Sequence, residues 1–180
     1  MNTNDHKLID RCISKDRKAQ NELFHLLGPK MLSICRRYLT STQEAEDALI
    51  TGFAKVFEKL DTIQKKGNLE AWVKRIIINE CLMIIRKNKR MPQLYPIEEM
   101  AYKLDVPFVD HLYYNDVLKL LNQLPTGYRT VFNLYVIEGY KHREIADIMN
   151  ISINTSKSQL ILARKKLSSM IKKKVNKKIA

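Results

Sequence analysis

The chain has 180 residues, of which 45% are hydrophobic and only five each are glycine and proline, and its net charge is +13. This length allows one domain or two small ones, and the scarcity of glycine and proline disfavours a β-sandwich built on many tight turns. The large positive charge predicts a polyanionic partner, either nucleic acid or an anionic membrane surface.

Neither a leader nor a membrane span is predicted. The N-terminal stretch MNTNDHKLID is polar from the start, which argues against a signal peptide. The most apolar run, Ile76 to Ile85, is interrupted by Asn79 and Glu80 and is too short to span a bilayer. The cysteines lack metal-ligand spacing and are predicted to be buried free thiols. They are Cys12, Cys35 and Cys81. We therefore expect a cytoplasmic protein that is not inserted in a membrane.

Apolar residues recur every three or four positions through the first part of the chain, which predicts a series of helices. A short helix over Asp5 to Ser14 is followed by a second helix that Asp16 can cap. Gly28 is predicted to end this second helix and Pro29 to begin a third, because the missing N–H of proline would be unpaired there anyway. The predicted inward-facing residues of the three helices are Leu8, Ile9, Cys12, Ile13, Ala19, Leu23, Leu26, Leu27, Leu32, Cys35 and Leu39.

Two longer helices are predicted next. The segment Ser41-Thr42-Gln43-Glu44 has the form of a capping box and starts a fourth helix. Gly52 costs this helix about 1 kcal/mol relative to alanine, so we expect a close contact with another helix there. After a loop over Asp61 to Gly67, Asn68 can cap a fifth helix from Leu69 to about Asn88, which is apolar on more than one side and is expected at the centre of a bundle. The apolar stripe of the fourth helix is Ala45, Ala48, Leu49, Gly52, Phe53, Val56, Phe57 and Leu60.

The composition changes over Met91 to Asp110, where three prolines interrupt the chain and acidic residues outnumber the single lysine. This segment is predicted to be a linker. Two more helices are predicted over Leu112 to Leu124 and Tyr128 to Val136, and Gly139 turns the chain after them. The predicted fold is all-α, with two small helical domains over 1–90 and 112–180 joined by a proline-containing linker over 91–111.

Tyr140 to Lys166 contains two short helical patterns around a tight break, which suggests a helix-turn-helix. Asn150 can take the left-handed conformation that closes the first helix, and Ser152 can cap the second. The first helix is expected to turn Ile145, Ile148 and Met149 inward. The predicted core stripe of the second helix is Ile153, Ser156, Leu160, Ala163 and Leu167.

The opposite face of the second helix combines hydrogen-bonding, apolar and cationic side chains, close to what base edges and phosphates require. These side chains are Asn154, Lys157, Ser158, Ile161 and Lys165. No acidic residue follows Asp147, whereas Arg164, Lys165 and Lys166 add positive charge to the later turns. An ordinary helical hairpin with a solvated basic face would show a similar pattern, but charge and turn chemistry together favour DNA binding. Beyond Lys174 the remaining lysines are expected to form a disordered tail.

Two stretches, in this order, resemble parts of one protein family. AEDALITGFAKVFEKL, followed by NLEAWVKRIIINECLMIIRKNKR, resembles the second region of bacterial sigma-70 family factors. LPTGYRTVFNLYVIEGYKHREIADIMNISINTSKSQLILARKKL resembles their fourth-region DNA-binding domain. A chain with these two regions and without the others is similar to the extracytoplasmic function (ECF) group. The resemblance covers about Asp16 to Lys166.

The resemblance implies a factor that binds core RNA polymerase, directs it to promoters and helps to melt the start site, with no cofactor and no small-molecule substrate. The implied polymerase-binding residues are Asp47, Phe53 and Phe57. The implied contacts to the minus-ten element are Lys65, Lys66, Asn68, Lys74, Arg75, Asn79, Arg86 and Lys87. The implied contacts to the minus-thirty-five element are Asn154, Lys157, Ser158, Ile161, Leu162, Arg164 and Lys165. Members of this group are often held by an anti-sigma factor, which makes such a protein a candidate partner besides promoter DNA and core polymerase.

Some positions carry an alternative interpretation. Core packing is favoured for Trp72, and Asn79 could equally be a buried amide bonded to a neighbouring helix. The chain also departs from the family pattern at several positions, which we interpret as altered promoter choice or a divergent subgroup. The departures are Ile50-Thr51 for a Gln-Glu pair, Met83 for an aspartate, Lys141 for a capping serine and Leu162 for an arginine.

Two other classes of protein would share some of these sequence features. A helix-turn-helix regulator that does not associate with polymerase would need a ligand pocket or phospho-acceptor domain in its first half, and a helical bundle with a basic central helix provides neither. An enzyme is disfavoured because the four histidines show no H-x-x-x-H pairing and the sequence has no glycine-rich phosphate loop.

Overall fold

The computed structural model describes residues 3–63, 68–88 and 114–179, and they form an all-α fold with no strand. The chain divides into two compact units, Met1–Lys89 and Arg90–Ala180. The predicted linker and the predicted start of the following helix at Leu112 lie outside the described residues. None of the helices in the described part is long and apolar enough to cross a membrane.

The N-terminal unit contains four α-helices. They are α1 (Thr3–Ile13), α2 (Arg17–Tyr38), α3 (Thr42–Lys59) and α4 (Leu69–Asn88), with a short 3-10 turn at Leu60–Thr62. Helices α2, α3 and α4 all pack on one another, and α1 packs on α2 and the 3-10 turn. Helix α4 packs on α2 and α3, whereas α2 packs on α1, α3 and α4, so these contacts do not single out α4 as the predicted central helix.

Local capping explains where these helices begin. The Asp16 carboxylate accepts hydrogen bonds from the N–H groups of Lys18 (2.8 Å) and Ala19 (3.3 Å). The Ser41 hydroxyl accepts one from Glu44 N, and the Asn68 side-chain oxygen accepts one from Ala71 N at 3.2 Å. Each of these bonds satisfies an N–H group that has no partner inside its own helix. The three predicted caps are therefore confirmed.

Helix α2 is continuous through Pro29, so the predicted break after Gly28 is wrong. Leu23 and Leu27 before the proline and Met31 and Ile34 after it are all buried. A proline inside a helix costs about 3 kcal/mol, whereas burying one large apolar side chain contributes about 1.5–3 kcal/mol. An unbroken helix buries both groups of residues in one core, which offsets the cost of the proline.

Two predicted core residues lie at the surface instead. Leu26 is 63% exposed and Ile13 is 42% exposed. One residue advances about 100° around a helix, so Leu26 lies to one side of the arc that buries Leu27. The stripe of α3 is buried as predicted except for Phe57, which is half-buried.

The three cysteines are free and buried, as the sequence predicted. Burial raises the pKa of the Cys12 thiol to about 11. A hydrogen bond with Cys35, followed in size by burial, raises the pKa of the Cys81 thiol far above its ordinary value. The Cys12 and Cys81 thiols are therefore protonated at neutral pH, as expected for cysteines that act as small apolar core residues.

The C-terminal unit contains α5 (Tyr114–Asn122), α6 (Thr126–Phe132), α7 (His142–Met149) and α8 (Ile153–Ile179). Helix α6 runs on into a π-helical segment, Asn133–Ile137, where Glu138 N donates to Asn133 O at 2.9 Å. Leu120 and Leu121 of α5 and the following Leu124 pack against Ala163 and Leu167 of α8.

Helix α8 is longer than the sequence predicted. It runs to Ile179, so the predicted disordered tail beyond Lys174 is wrong. Met170 and Ile171 continue its apolar face against the α5 leucines, and Lys174 forms an ion pair with Asp116 of α5 at 2.6 Å. These contacts hold the helix two turns beyond Leu167, and helix geometry continues from there to Ile179.

Candidate nucleic-acid interface

The turn between α7 and α8 has the geometry that its sequence predicted. Asn150 adopts the left-handed conformation, with φ 52° and ψ 55°, and the following Ile151 N donates to Ala146 O at 3.1 Å. The Ser152 hydroxyl then accepts a hydrogen bond from Thr155 N at 2.9 Å and caps α8. A left-handed residue followed at once by a new cap redirects the chain sharply, as a helix-turn-helix requires.

The start of α7 is stabilised despite its unusual capping residue. Lys141, which stands where the related family has serine, provides no side-chain cap. The Glu144 carboxylate instead accepts a hydrogen bond from Lys141 N at 2.7 Å. This is the return half of a capping box, which the glutamate can supply without a serine.

His142 connects the first helix of the motif to the second. Its ring stacks on Tyr135 with the centroids 4.3 Å apart and the planes 22° from parallel. Its Nδ1 atom is 2.9 Å from the hydroxyl oxygen of Ser156, which is fully buried in α8. The hydrogen bond joins α7 to α8, and the stack joins α7 to the π-helical segment, so His142 links all three elements.

Positive charge is concentrated around the same ring. The guanidinium carbon of Arg164 lies 6.0 Å from the centroid of the Tyr135 ring, within cation–π range. Burial, followed by the positive charges of Lys157 and Arg164, lowers the pKa of His142. The imidazole is therefore neutral at pH 7 beside two cations.

All seven predicted contact residues of α8 are at least partly accessible to solvent. Asn154, Lys157 and Lys165 are exposed, and Ser158, Ile161, Leu162 and Arg164 are half-buried. The predicted core stripe is buried from Ser156 onward, but Ile153 is 43% exposed, so its predicted place in the core is wrong. Ile153 is the first residue of α8, where the helix has just emerged from the turn.

A second basic surface lies on α4. Arg75, Asn79 and Arg86 are exposed and, at 100° per residue, fall on one side of the helix. The exposure of Asn79 excludes the alternative that it is a buried amide. Trp72 is half-buried beside this strip, and Met83, 51% exposed, lies along it.

The other predicted minus-ten residues are not all on that strip. Lys74 and Lys87 lie about 100° and 80° from its nearest members around the helix. The side chain of Asn68 caps α4 through Ala71 N. Lys65 and Lys66 fall outside the described residues. The structure therefore brings together three of the eight residues.

The predicted polymerase-binding residues of α3 also differ from one another in their exposure to solvent. Asp47 is exposed and Phe57 half-buried, whereas Phe53 is only 2% exposed. The Phe53 ring meets Phe24 of α2 edge-on, with the centroids 4.8 Å apart. A direct contact of Phe53 with another protein is therefore contradicted, because its ring belongs to the core. Ile50, 64% exposed, shares the outer side of α3 with Asp47 and Phe57.

Nothing in the sequence pattern singled out Tyr135 or His142 as part of this surface. The histidine begins a helix that the turn motif already explains, and its partners are seven residues before it and fourteen after it. The hydrogen bond to Ser156 has no sequence signature. Among the described residues, no group of three or more His, Cys, Asp or Glu side chains is placed to hold a metal ion.

Comparisons with known proteins match both units. Residues 23–91 match the family described as Sigma-70 region 2, and residues 114–167 match Sigma-70, region 4. The chain is 26% identical to the ECF RNA polymerase sigma factor SigW of Bacillus subtilis over 92% of this chain and 96% of that protein. It is 24% identical to the RNA polymerase sigma-H factor of Pseudomonas aeruginosa over 93% of each.

Solved structures share the fold. The sigma factor RpoE of Bartonella quintana, in complex with the anti-sigma factor NepR, superposes with a TM-score of 0.53 at 24% identity, over 84% of this chain and 96% of that one. CnrH, in complex with the cytosolic domain of CnrY, gives a TM-score of 0.50 at 20% identity, over 92% and 95% of the two chains.

Proposed function

The chain belongs to the sigma-70 family, in its ECF group, as an RNA polymerase sigma factor, and we propose that its two units contact one promoter at two places. The observation that carries this proposal is the presence of both regions in one chain, each with an exposed basic surface. A single helix-turn-helix would fit many regulators. The N-terminal match to region 2 distinguishes a sigma factor from a regulator that does not associate with polymerase.

The C-terminal unit is proposed to recognise the minus-thirty-five element. In helix-turn-helix proteins the first residues of the second helix reach base edges in the major groove. Asn154, Ser158 and Ile161 can supply hydrogen-bonding and apolar contacts to bases. Lys157, Arg164 and Lys165 would contact phosphates, which fix the position of the protein but do not read sequence.

The N-terminal unit is proposed to capture the minus-ten element once it is melted. Unstacked bases bind to surfaces that combine cationic side chains with amide and aromatic groups. The exposed strip of α4 offers Arg75 and Arg86 for phosphates, Asn79 for hydrogen bonds and the half-buried Trp72 ring beside them. These are the strongest candidates among the minus-ten residues, since Lys74 and Lys87 lie away from the strip.

Core polymerase is proposed to bind the outer side of α3. Asp47 and Phe57 are accessible there, and Ile50 adds an exposed apolar side chain that the related family replaces with a polar one. Phe53 would support this surface from beneath through Phe24 and Phe57, whose rings lie 4.8 Å and 5.9 Å from it.

Further proposals concern cellular context. A factor that acts by binding DNA and polymerase needs no catalytic residues, and we infer that the chain is not an enzyme and works in the cytoplasm. Of the structurally similar proteins, the sigma factor RpoE is in complex with an anti-sigma factor, and CnrH is in complex with the cytosolic domain of CnrY. An anti-sigma factor is accordingly a candidate partner for this chain.

Run-off transcription tests the proposed function. Core RNA polymerase would be incubated with genomic fragments, with and without the full chain. We expect transcripts with defined starts only when the chain is present. Co-purification of the chain with core polymerase provides an independent measurement. If the chain binds duplex DNA but neither binds core polymerase nor yields specific transcripts, it would act as a regulator of another kind.

A further inference from the structure

Three donor side chains lie together at the edge of the helix-turn-helix. The His142 ring stacks on Tyr135 at 4.3 Å, and the Arg164 guanidinium carbon is 6.0 Å from the centroid of the same tyrosine ring. Lys157 directly follows Ser156 on α8, and burial, followed by the charge of Lys157, lowers the pKa of the His142 imidazole. An exposed lysine, a half-buried arginine and a histidine thus share one small region of surface.

The histidine is held by one nitrogen only. Nδ1 is 2.9 Å from the hydroxyl of Ser156, which has no exposure to solvent. The stack on Tyr135 fixes the plane of the ring. Both ring nitrogens carry a proton in the charged imidazole, so Nε2 can donate a hydrogen bond to a ligand while Nδ1 keeps its contact with Ser156.

The position of His142, Lys157 and Arg164 within the helix-turn-helix indicates the class of ligand that they would bind. Ser156 lies in the first turn of α8, the end of a recognition helix that enters the major groove, and His142 begins the helix that crosses the DNA backbone in such motifs. Lys157 and Arg164 carry like charges on the same side of α8 and repel each other. An anion bound beside them would reduce this repulsion. If this motif docks on DNA as other helix-turn-helix motifs do, the nearest anion would be a backbone phosphate.

We propose that His142, Lys157 and Arg164 bind one DNA phosphate beside the recognition helix, and that His142 takes up a proton as the phosphate binds. The proposal rests on the proposed function, since it assumes that this motif docks on DNA. It adds His142 to the residues proposed to contact DNA, and it predicts that promoter affinity depends on pH.

The groups around His142 set the direction of this linkage. From α8, Lys157 and Arg164 oppose its protonation. From the π-helical segment, the neighbouring titratable group is the phenol of Tyr135. On α7 itself, the Glu144 carboxylate is engaged by Lys141 N at 2.7 Å. A phosphate would favour the charged imidazole, so the pKa rises on binding and affinity increases as the pH falls towards 6.

The test compares the pH dependence of promoter binding by three holoenzymes, each assembled from core polymerase and the full chain. The chains are wild type, His142→Gln and His142→Arg, and the probe is a labelled duplex from a promoter found by run-off transcription. Uptake of one proton changes affinity by at most about tenfold per pH unit. We expect the wild-type affinity, divided by that of His142→Gln, to rise about tenfold between pH 8 and pH 6.

His142→Arg carries a permanent charge, so its affinity relative to His142→Gln should not vary with pH. If His142→Gln fails to fold, the ratio of wild type to His142→Arg provides the same test. Identical pH profiles for all three chains, with promoter-directed transcription intact, would overturn the phosphate site and leave the proposed function standing. Absence of any promoter-directed transcript from wild type would instead overturn the proposed function.

Discussion

Gly52 of α3 lies directly against Ile77 of α4, so closely that a Cβ atom at position 52 would overlap Ile77 Cδ1. The same Cβ would be 3.6 Å from Ile77 Cα and from Glu80 Cγ, which is ordinary contact. The conflict is therefore with a single methyl group of a fully buried side chain. This contact allows the two helices that carry the proposed polymerase and minus-ten surfaces to pack closely.

We expect Gly52→Ala and Ile77→Val to be coupled. Alanine gains about 1 kcal/mol of helix propensity, but the overlap with Ile77 Cδ1 costs about 1–3 kcal/mol. Ile77→Val removes that atom, so it should destabilise less in the Gly52→Ala background than in wild type. A double-mutant cycle from urea unfolding should show a coupling of at least about 0.5 kcal/mol. If the two changes in the free energy of unfolding simply add, the core accommodates a Cβ atom at position 52 without a cost that depends on Ile77.

The ion pair between Lys55 and Glu80 should matter more than exposed pairs. Lys55 Nζ is 2.7 Å from the Glu80 carboxylate, and the glutamate is 7% exposed. Lys55→Ala would leave a buried carboxylate without its cation, at a cost of about 2–4 kcal/mol. Lys30→Ala is the matched control, because the Lys30–Glu70 pair is largely exposed and should be worth below about 1 kcal/mol. Equal losses in urea unfolding would contradict this ranking.

Acid should remove the contribution of Asp16 to stability. A hydrogen bond from Arg11, followed in size by one from the Ala19 N–H, lowers the pKa of Asp16. A carboxyl group with a lowered folded pKa stabilises the protein above its unfolded pKa, about 3.9, and loses that effect as the pH falls through the folded value.

The thermal unfolding midpoint should therefore rank wild type above Asp16→Asn, and Asp16→Asn above Asp16→Ala, at pH 7. Asparagine keeps the helix cap but loses the charge. The gap between wild type and Asp16→Asn should close as the pH falls below about 4. A gap that persists at pH 2.5 would show that the carboxylate charge is not its source.

Removing the exposed strip of α4 should affect promoter melting. Arg75→Ala combined with Asn79→Ala should slow open-complex formation more than it weakens the first binding of duplex, because the strip is proposed to hold unstacked bases. Lys87→Ala removes one charge from another side of the same helix and serves as the control. Permanganate footprinting and competition binding separate the two steps. An equal loss at both would indicate a general electrostatic effect.

Two residues of α8 should differ in what they recognise. Asn154→Ala should weaken the cognate minus-thirty-five element by about 1–3 kcal/mol and have little effect on unrelated duplexes. Lys157→Ala should weaken all duplexes alike and reduce the slope of log K against log salt by about 1. Lys166, exposed on a different side of α8, is the control for charge alone. A sequence-dependent loss for Lys157→Ala would move it from phosphate to base contacts.

The amino-acid sequence alone determined the features that depend on nearby residues. The caps at Asp16, Ser41 and Ser152 and the left-handed turn at Asn150 need only a few consecutive residues. The buried stripe of α3 follows from helical periodicity. These local signals, together with the charge of α8, were sufficient to predict an all-α chain with a DNA-binding motif.

Tertiary structure decided the rest, because packing can outweigh a local preference and can join residues that are distant in sequence. The chain passes through Pro29 as a helix since the core on both sides of it favours one continuous face. Phe53 became a core residue once α2 brought Phe24 against it. His142 contacts Tyr135 and Ser156 because tertiary packing places the π-helical segment and α8 beside it. No local sequence pattern predicts those contacts.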